Sequence, residues 1–340
     1  MINLADLNIS ELEAYIGELG EPKFRAKQIF SWIHKGASEF DDMKNIPKSL
    51  REKLAENSTV CGARILEKYE SKLDETVKYL IELDDGNIIE SVLMSYKHGY
   101  TICASTEVGC AMGCAFCAST LGGLVRRLTP GEILSQITLI GKDAGVRISN
   151  IVLMGIGEPL DNYDNVIKFL QLVNAPEGVN IGMRHISLST CGLADEIDRL
   201  AEEDMGVTLC VSLHAADDEK RSKIMPVNRR FNIERLMKSC RSYTGKTGRR
   251  MIFEYSLIKG VNDLDRDIDN LVKLTRGIIC HVNIIPVNPI KERNFERSTR
   301  AHEFCKILND RGVSATVRRE LGSDISASCG QLRRQKTERA

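Results

Sequence analysis

The chain reads as an α/β protein built on a partial (β/α)6 barrel, preceded by a small N-terminal helical domain and a β-hairpin. Three patterns predict this. From position 100 onward, short apolar runs alternate with amphipathic stretches of helical period, six times in series. Serial β/α units of that kind fold into a parallel sheet with right-handed crossovers. Ahead of them, positions 76–83 and 88–94 alternate apolar and polar residues around Asp84, Asp85, Gly86 and Asn87, a hairpin signal. Positions 1–60 show helical periodicity only.

Taken in order, helices are expected at 11–19, 23–35 and 47–54, the last opened by Pro47, whose fixed φ suits a first helical turn. After the hairpin, strands are expected at 101–105, 150–154, 185–190, 207–213, 251–257 and 282–286. The intervening helices fall at 130–142, 165–173, 194–203, 233–243, 265–275 and 299–311, and 313–320 reads as a further strand. The division that follows is a helical accessory domain at 1–60, a hairpin linker at 61–98, the barrel at 99–321, and a cysteine-bearing loop with a basic tail at 322–340. Positions 333–340 read as frayed. No fixed-period repeat interrupts the pattern. Functional side chains of such barrels sit just past strand C-termini. Polar and cysteine-rich motifs fall at those places: after the first strand, at Gly155–Pro159, at Ser189–Gly192, at Ser212–His214 and at Asn288.

With 340 residues and 42% hydrophobic content, the chain can bury a sizeable core. It has no 18-residue apolar run, no basic leader and no lipidation motif, which leads to the expectation of a soluble cytoplasmic protein with no membrane partner. Eleven cysteines without an export signal point to a reducing compartment and to thiols kept for metal or catalysis. The 47 basic and 47 acidic residues balance. Their distribution does not, since positions 221–250 hold ten Lys or Arg against Glu234 alone. That surplus could neutralise phosphates. Positions 23–35 mix cations with Phe24, Phe30 and Trp32, either an RNA-contacting face or an amphipathic helix with core aromatics and solvated cations.

Cys110, Cys114 and Cys117 stand at C-x3-C-x2-C spacing with Ala111, Gly113 and Ala115 between them. Three thiolates can bind three irons of a cubane [4Fe-4S] cluster and leave the fourth open to a small ligand. Small neighbours let the backbone wrap closely, and Phe116 offers an apolar face. A zinc site with a remote fourth ligand, or three unconnected core cysteines, would also fit the spacing. The motif resembles the radical S-adenosylmethionine (SAM) superfamily, in which SAM chelates the open iron through its amino and carboxylate groups. Gly157 and Glu158 would then offer close backbone approach and an acceptor for the ammonium, and Ser189, Ser212 and Asn288 neutral hydrogen bonds.

The runs around Cys103–Cys110, Phe116–Gly123, Met154–Leu160 and Ser212–Ala215, with the late segment Gly322–Leu332, resemble the bacterial RlmN RNA methyltransferases over nearly the whole chain. The resemblance implies methylation of carbon 2 of an adenosine in 23S rRNA, at the peptidyl-transferase centre, and of the adenosine 3′ of the anticodon in tRNA, with two SAM consumed. By the same resemblance, Cys329 takes the methyl group as S-methylcysteine and Cys103 later resolves the linkage through a disulfide, while Glu90 is the proton acceptor. Leu213 and His214 join the SAM-binding residues, and the cluster cysteines are Cys110, Cys114 and Cys117. A flavodoxin or ferredoxin as electron donor and a monomeric state are implied too. Carbon 2 of adenine is electron-poor and cannot attack a sulfonium methyl as a nitrogen nucleophile would, so a different route is required, and the resemblance implies a radical one. Read from the residues alone, Glu90 could equally be a solvated strand-edge carboxylate. Cys61, Cys210, Cys240, Cys280 and Cys305 read as small core residues, and Cys191 stands where the family often has Ser. Two alternatives remain at this level. One is the related C8-specific methylase of antibiotic resistance, which commonly has Gly-Glu-Ala where this chain has Gly157, Glu158 and Pro159. The other is a metal-bound RNA-binding protein without catalysis. A methylthiotransferase would need three more cysteines upstream of Cys103, and only Cys61 is there.

Overall fold

From Ala63 onward the chain builds a sheet whose strands follow one another in space in the order of the sequence. The computed structural model describes residues 1–203 and 205–332, together with the backbone of Gln335–Lys336. Strands β1 (Ala63–Glu70), β2 (Val77–Leu83), β3 (Asn87–Tyr96) and β4 (Gly99–Cys103) form an antiparallel meander. From β4 the sheet continues in parallel through β5 (Ile148–Leu153), β6 (Ile186–Thr190), β7 (Thr208–Ser212), β8 (Met251–Leu257), β9 (Cys280–Pro286) and β10 (Ala315–Val317). The path ends at β1 and β10, which do not pair with each other. The barrel is therefore open, as expected. The expected hairpin is β2–β3, turning at Gly86 with φ +77°. Strand β1 was not foreseen, because its outer half is exposed and carries no apolar alternation.

The first sixty residues fold into helices α1 (Ile9–Glu18), α2 (Phe24–His34) and α3 (Lys48–Ala55). Asn8 and Glu11 close a reciprocal capping box at the start of α1, which satisfies two orphan amide donors. Leu12, Ile16, Ile29, Phe30, Ile33, Leu50 and Leu54 are buried between the helices, and Ile2–Asn3 pairs in parallel with Ser58–Thr59, tying the two ends of the segment together. This module lies against α4 (Pro130–Ala144), where Gly131 donates to Asp6 Oδ1 at 2.7 Å and Lys142 Nζ to the Gly36 carbonyl at 3.1 Å. A side chain at Gly131 would meet the Ala5 backbone at 2.8 Å. One continuous apolar core runs through the module and the barrel.

Helices α5 (Tyr163–Asn174), α6 (Ala194–Leu200), α7 (Asp218–Ile224), α8 (Ile233–Thr247), α9 (Asp265–Thr275) and α10 (Ala301–Asp310) complete the crossovers. Between β4 and α4 the chain forms a short antiparallel ribbon, Glu107–Gly109 with Leu124–Arg127, that brackets the cysteine loop. A Cβ at Gly109 would stand 1.9 Å from the Gly123 carbonyl oxygen, so only glycine permits this approach. Most of the expected frayed tail, 333, 334 and 337–340, lies outside the described residues; Gln335–Lys336 pairs with β3. No described helix is long and apolar enough to cross a membrane.

Candidate active site at the barrel mouth

The C-terminal ends of the parallel strands open onto a cavity of about 370 Å3, and the cysteine loop and the segment carrying Cys329 form its other walls. Cys103, Cys110, Cys114, Cys117 and Cys329 all line it. The loop is shaped by main-chain bonds. Cys117 N donates to the Cys114 carbonyl at 3.2 Å, Thr120 Oγ1 donates to the carbonyls of Cys114 and Cys117 at 3.3 and 3.0 Å, and Cys110 N donates to Gly123 at 3.1 Å. Gly113 takes φ +68°, a left-handed turn between the first two cysteines.

Burial pushes all three thiols up, Cys114 to about 12, so they ionise only when cations are there to take them. Among the described residues no three His, Cys, Asp or Glu side chains gather to hold one metal ion. A cubane cluster asks for something else, since each thiolate meets its own iron. Three thiols on one concave wall, joined by small residues and backed by Phe116, fit such a cluster. Phe116 meets the His214 ring edge-on at 4.8 Å.

Gly157, Glu158, Ser189, Ser212, His214 and Asn288 also line the cavity. Gly157 takes φ +112°, and a Cβ there would meet Glu107 at 2.7 Å. The Glu158 carboxylate is buried and accepts from Cys191 N at 2.7 Å and Leu160 N at 3.1 Å; burial raises its pKa and these bonds oppose the rise. His214 has φ +55° and its Nδ1 accepts from Ser256 N at 2.9 Å, which leaves the proton of the neutral ring on Nε2. Burial holds that imidazole down to about 3. Asn288 Nδ2 donates to the Cys329 carbonyl at 2.9 Å and its Oδ1 accepts from Arg297 at 3.0 Å. Leu213 is set apart from the others. Its side chain is fully buried, its N donates to the Glu254 carbonyl at 3.0 Å, and its carbonyl accepts from Arg221 at 3.1 Å.

Cys103 ends β4, and Cys329 lies in a loop of the C-terminal segment. That loop is anchored by Ala118 N donating to the Gly330 carbonyl at 2.8 Å, Ser119 Oγ to Leu332 at 2.7 Å, and Ser328 Oγ to Leu321 at 2.9 Å. Val92, Met94, Ile156, Leu321 and Leu332 form a small apolar cluster beneath it, with Cys103 alongside. The Cys329 side chain is exposed, but onto the concave mouth. Enclosure by the walls raises both thiols, Cys103 to about 12, and the Arg318 guanidinium opposes the rise in each. Arg318 lines the same cavity with Glu254 Oε2 at 3.6 Å from its Nη1.

Glu90 is not on a strand edge. It is 1% exposed in the middle of β3, between β2 and β4, with Lys78 Nζ at 3.7 Å. Strand alternation puts it on the same face as Val92 and Met94, which do reach the cavity.

Residues 221–250 do not form one basic face. Arg221 is fully buried, Arg235 pairs with Asp195 and Asp198, and Lys246 pairs with Glu202. Arg249 and Arg250 precede β8, at the opposite end of the strands from the mouth. Counting charges along the sequence could not separate these roles. In α2, Phe30 is core, whereas Phe24 is 54% exposed with Arg25 stacked over its ring, and Lys35 lies over Trp32. Arg318, which lines the cavity, and Glu107 and Arg221, which bond to residues that line it, were not among the expected site residues. The expected strand at 313–320 hid Arg318, which stands just past the end of β10 at the mouth.

Comparison with known proteins agrees with this geometry. Residues 2–60 match the family model described as ribosomal RNA large subunit methyltransferase N-terminal domain, and residues 105–274 match the radical SAM superfamily. The chain is 55% identical over 336 residues to the probable dual-specificity RNA methyltransferase RlmN of Clostridium beijerinckii, covering 98% of this chain and 95% of that protein. It is 52% identical over 335 residues to the protein of the same description from Alkaliphilus metalliredigens, with 98% and 95% covered. The crystal structure of a radical SAM methyltransferase from Sphaerobacter thermophilus superposes with a TM-score of 0.95 at 45% identity, covering 98% of this chain and 99% of that one.

Proposed function

Because the chain belongs to the RlmN family of radical SAM RNA methyltransferases, we propose that it methylates carbon 2 of adenosine through a methylated cysteine. The substrates are the adenosine at the peptidyl-transferase centre of 23S rRNA and the adenosine 3′ of the anticodon in tRNA. The observation that carries this reading is the meeting of Cys103 and Cys329 in the cavity that also holds the three cysteines of the loop. A metal-bound RNA-binding protein without catalysis has no use for that pair.

Cys110, Cys114 and Cys117 hold the [4Fe-4S] cluster, and Gly157, Glu158, Ser189, Ser212, His214 and Asn288 hold SAM. Bound together, cluster and SAM supply a carbon-centred radical by one-electron cleavage of the sulfonium. Glu158 offers a buried, hydrogen-bonded acceptor for the SAM ammonium, and His214 a fixed neutral donor. The Cys329 thiolate takes the methyl group of one SAM by displacement, leaving a thioether. After one hydrogen atom is removed from that methyl, the carbon adds to C2 of the adenine and joins Cys329 to the RNA; the adduct would then give up its unpaired electron, for which the oxidised cluster is the available acceptor, together with its C2 proton. Cys103 then attacks the Cys329 sulfur, so the disulfide forms as the carbon–sulfur bond breaks and the base leaves methylated. Glu90 is assigned to take the C2 proton, a role supported by its place on the face that bears Val92 and Met94.

Phe24 and Trp32, each under a cation, suit the helical module at 1–60 to RNA docking. The hairpin linker at 61–98, the barrel at 99–321 and the loop with tail at 322–340 complete the division. The protein acts as a cytoplasmic monomer reduced by a flavodoxin or ferredoxin. Mass spectrometry of 23S rRNA and tRNA from cells with and without the gene tests the reading. Loss of 2-methyladenosine from both RNAs is expected; loss of an 8-methyl mark instead would transfer the protein to the C8 enzymes.

A further inference from the structure

Arg221 is the largest fully buried side chain among the described residues, and no carboxylate among them is bonded to it. Its Nε donates to the Leu213 carbonyl at 3.1 Å, its Nη2 to the carbonyls of Cys191 and Ser212 at 2.6 and 3.2 Å, and its Nη1 to Asn228 Oδ1 at 2.9 Å. Every one of these acceptors is a neutral oxygen. Asp218 is reached only through Asn228, whose Nδ2 donates to Asp218 Oδ1 at 2.8 Å. Gly192, at φ +107°, leaves the space the guanidinium needs, for a Cβ there would stand 3.1 Å from Nη2.

A buried cation satisfied by hydrogen bonds alone still lacks a counter-charge, and such a charge is costly to remove from water. Its surroundings indicate where the counter-charge enters. Cys191 and Ser212, whose carbonyls it binds, line the cavity, and α7, which carries Arg221, is tied to the cysteine loop where Ala115 N donates to the Ile224 carbonyl at 2.8 Å. Cys114 lines the cavity and, in the reading above, binds the cluster. We infer that Arg221 is the counter-charge of the cluster, an internal cation that offsets the bound thiolates and makes one-electron reduction more favourable. Bound thiolates leave the cluster anionic and reduction adds a further negative charge, so a nearby fixed cation raises the potential. The same guanidinium also fixes geometry. The Cys191 peptide donates through N to Glu158 at 2.7 Å and accepts through its carbonyl from Arg221, which connects the ammonium-binding carboxylate to the cation.

The inference rests on cluster binding by Cys110, Cys114 and Cys117, which their triple replacement by Ala tests separately through iron content. For Arg221 itself, the midpoint potential of the reconstituted cluster is measured anaerobically in wild type, Arg221→Lys and Arg221→Gln. Lys keeps the charge without the planar fork, and Gln keeps a donor without the charge. The Gln variant should favour the oxidised cluster about tenfold, a shift of about 59 mV to lower potential for one electron. The Lys variant should stay close to wild type. A Gln variant with the wild-type potential, or Lys and Gln variants shifted equally, overturns the inference. Should the Gln variant not fold, Arg221→Met, equally uncharged, takes its place: a potential lowered as expected for Gln upholds the role of charge and a wild-type potential rejects it.

Discussion

In the proposed route Cys329 accepts a methyl group as the thiolate, yet its enclosure favours the thiol, and Arg318 is the group that offsets this. A raised acid pKa means that at neutral pH the protonated form dominates and the reactive fraction grows with pH. Alkylation of Cys329 by iodoacetamide, followed by peptide mass spectrometry, should therefore accelerate about tenfold per pH unit between pH 7 and 8.5. Arg318→Met should slow it at fixed pH, and an unchanged rate would remove Arg318 from the account. Cys329→Ala should abolish the methyl thioether, whereas Cys103→Ala should keep it and accumulate a covalent protein–RNA adduct, because no thiol remains to resolve it. A methyl group found on another cysteine would refute the scheme. Cys191, whose identity departs from the family's usual Ser, contributes its peptide N and carbonyl to Glu158 and Arg221. Cys191→Ser leaves both bonds in place and should change stability by less than about 1 kcal/mol in denaturant titrations.

At the scale of elements, the ribbon that brackets the cysteine loop is set by glycine. In Gly109→Ala the new methyl would collide with the Gly123 carbonyl, so the ribbon must part. Iron content after reconstitution should fall severalfold, while circular dichroism of the metal-free protein stays near wild type, since the parallel sheet does not depend on the ribbon. Retention of full iron would show that the loop keeps its shape unaided. Strands β4 to β9 were legible because their apolar runs are flanked by helices with clear caps, as at Thr129 and Glu132 before α4. The ribbon was not legible, since Glu107–Gly109 and Leu124–Arg127 are too short for period-2 alternation to stand out. Likewise β1 escaped because its register on β2, not its own composition, makes it a strand.

For the whole molecule, the separation of cations matters more than their number. Strand β8 has seven residues and spans about 20 Å, which keeps Arg249 and Arg250 away from the mouth. Replacing Arg25 and Lys35 by Ala should lower the salt slope of RNA binding by about one unit for each phosphate left without its cation, with SAM affinity unchanged. Arg249→Ala with Arg250→Ala should leave the slope unaltered. The reverse result would put the RNA at the other end of the barrel.

The sequence by itself determined the class of the fold and, through spacing, the motif of Cys110, Cys114 and Cys117, because periodicity and spacing are local properties that few alternative structures share; Cys329 was singled out only by the resemblance to the family. It also marked polar positions that line the mouth, since they follow strand ends. Tertiary structure decided what depends on neighbours distant in the chain. It buried Arg221 out of its basic stretch, placed Glu90 inside the sheet, withdrew Leu213 from the cavity and brought Cys103 into the same mouth as Cys329. Charge, exposure and reactivity are set by what surrounds a side chain, and that is fixed only when the barrel assembles.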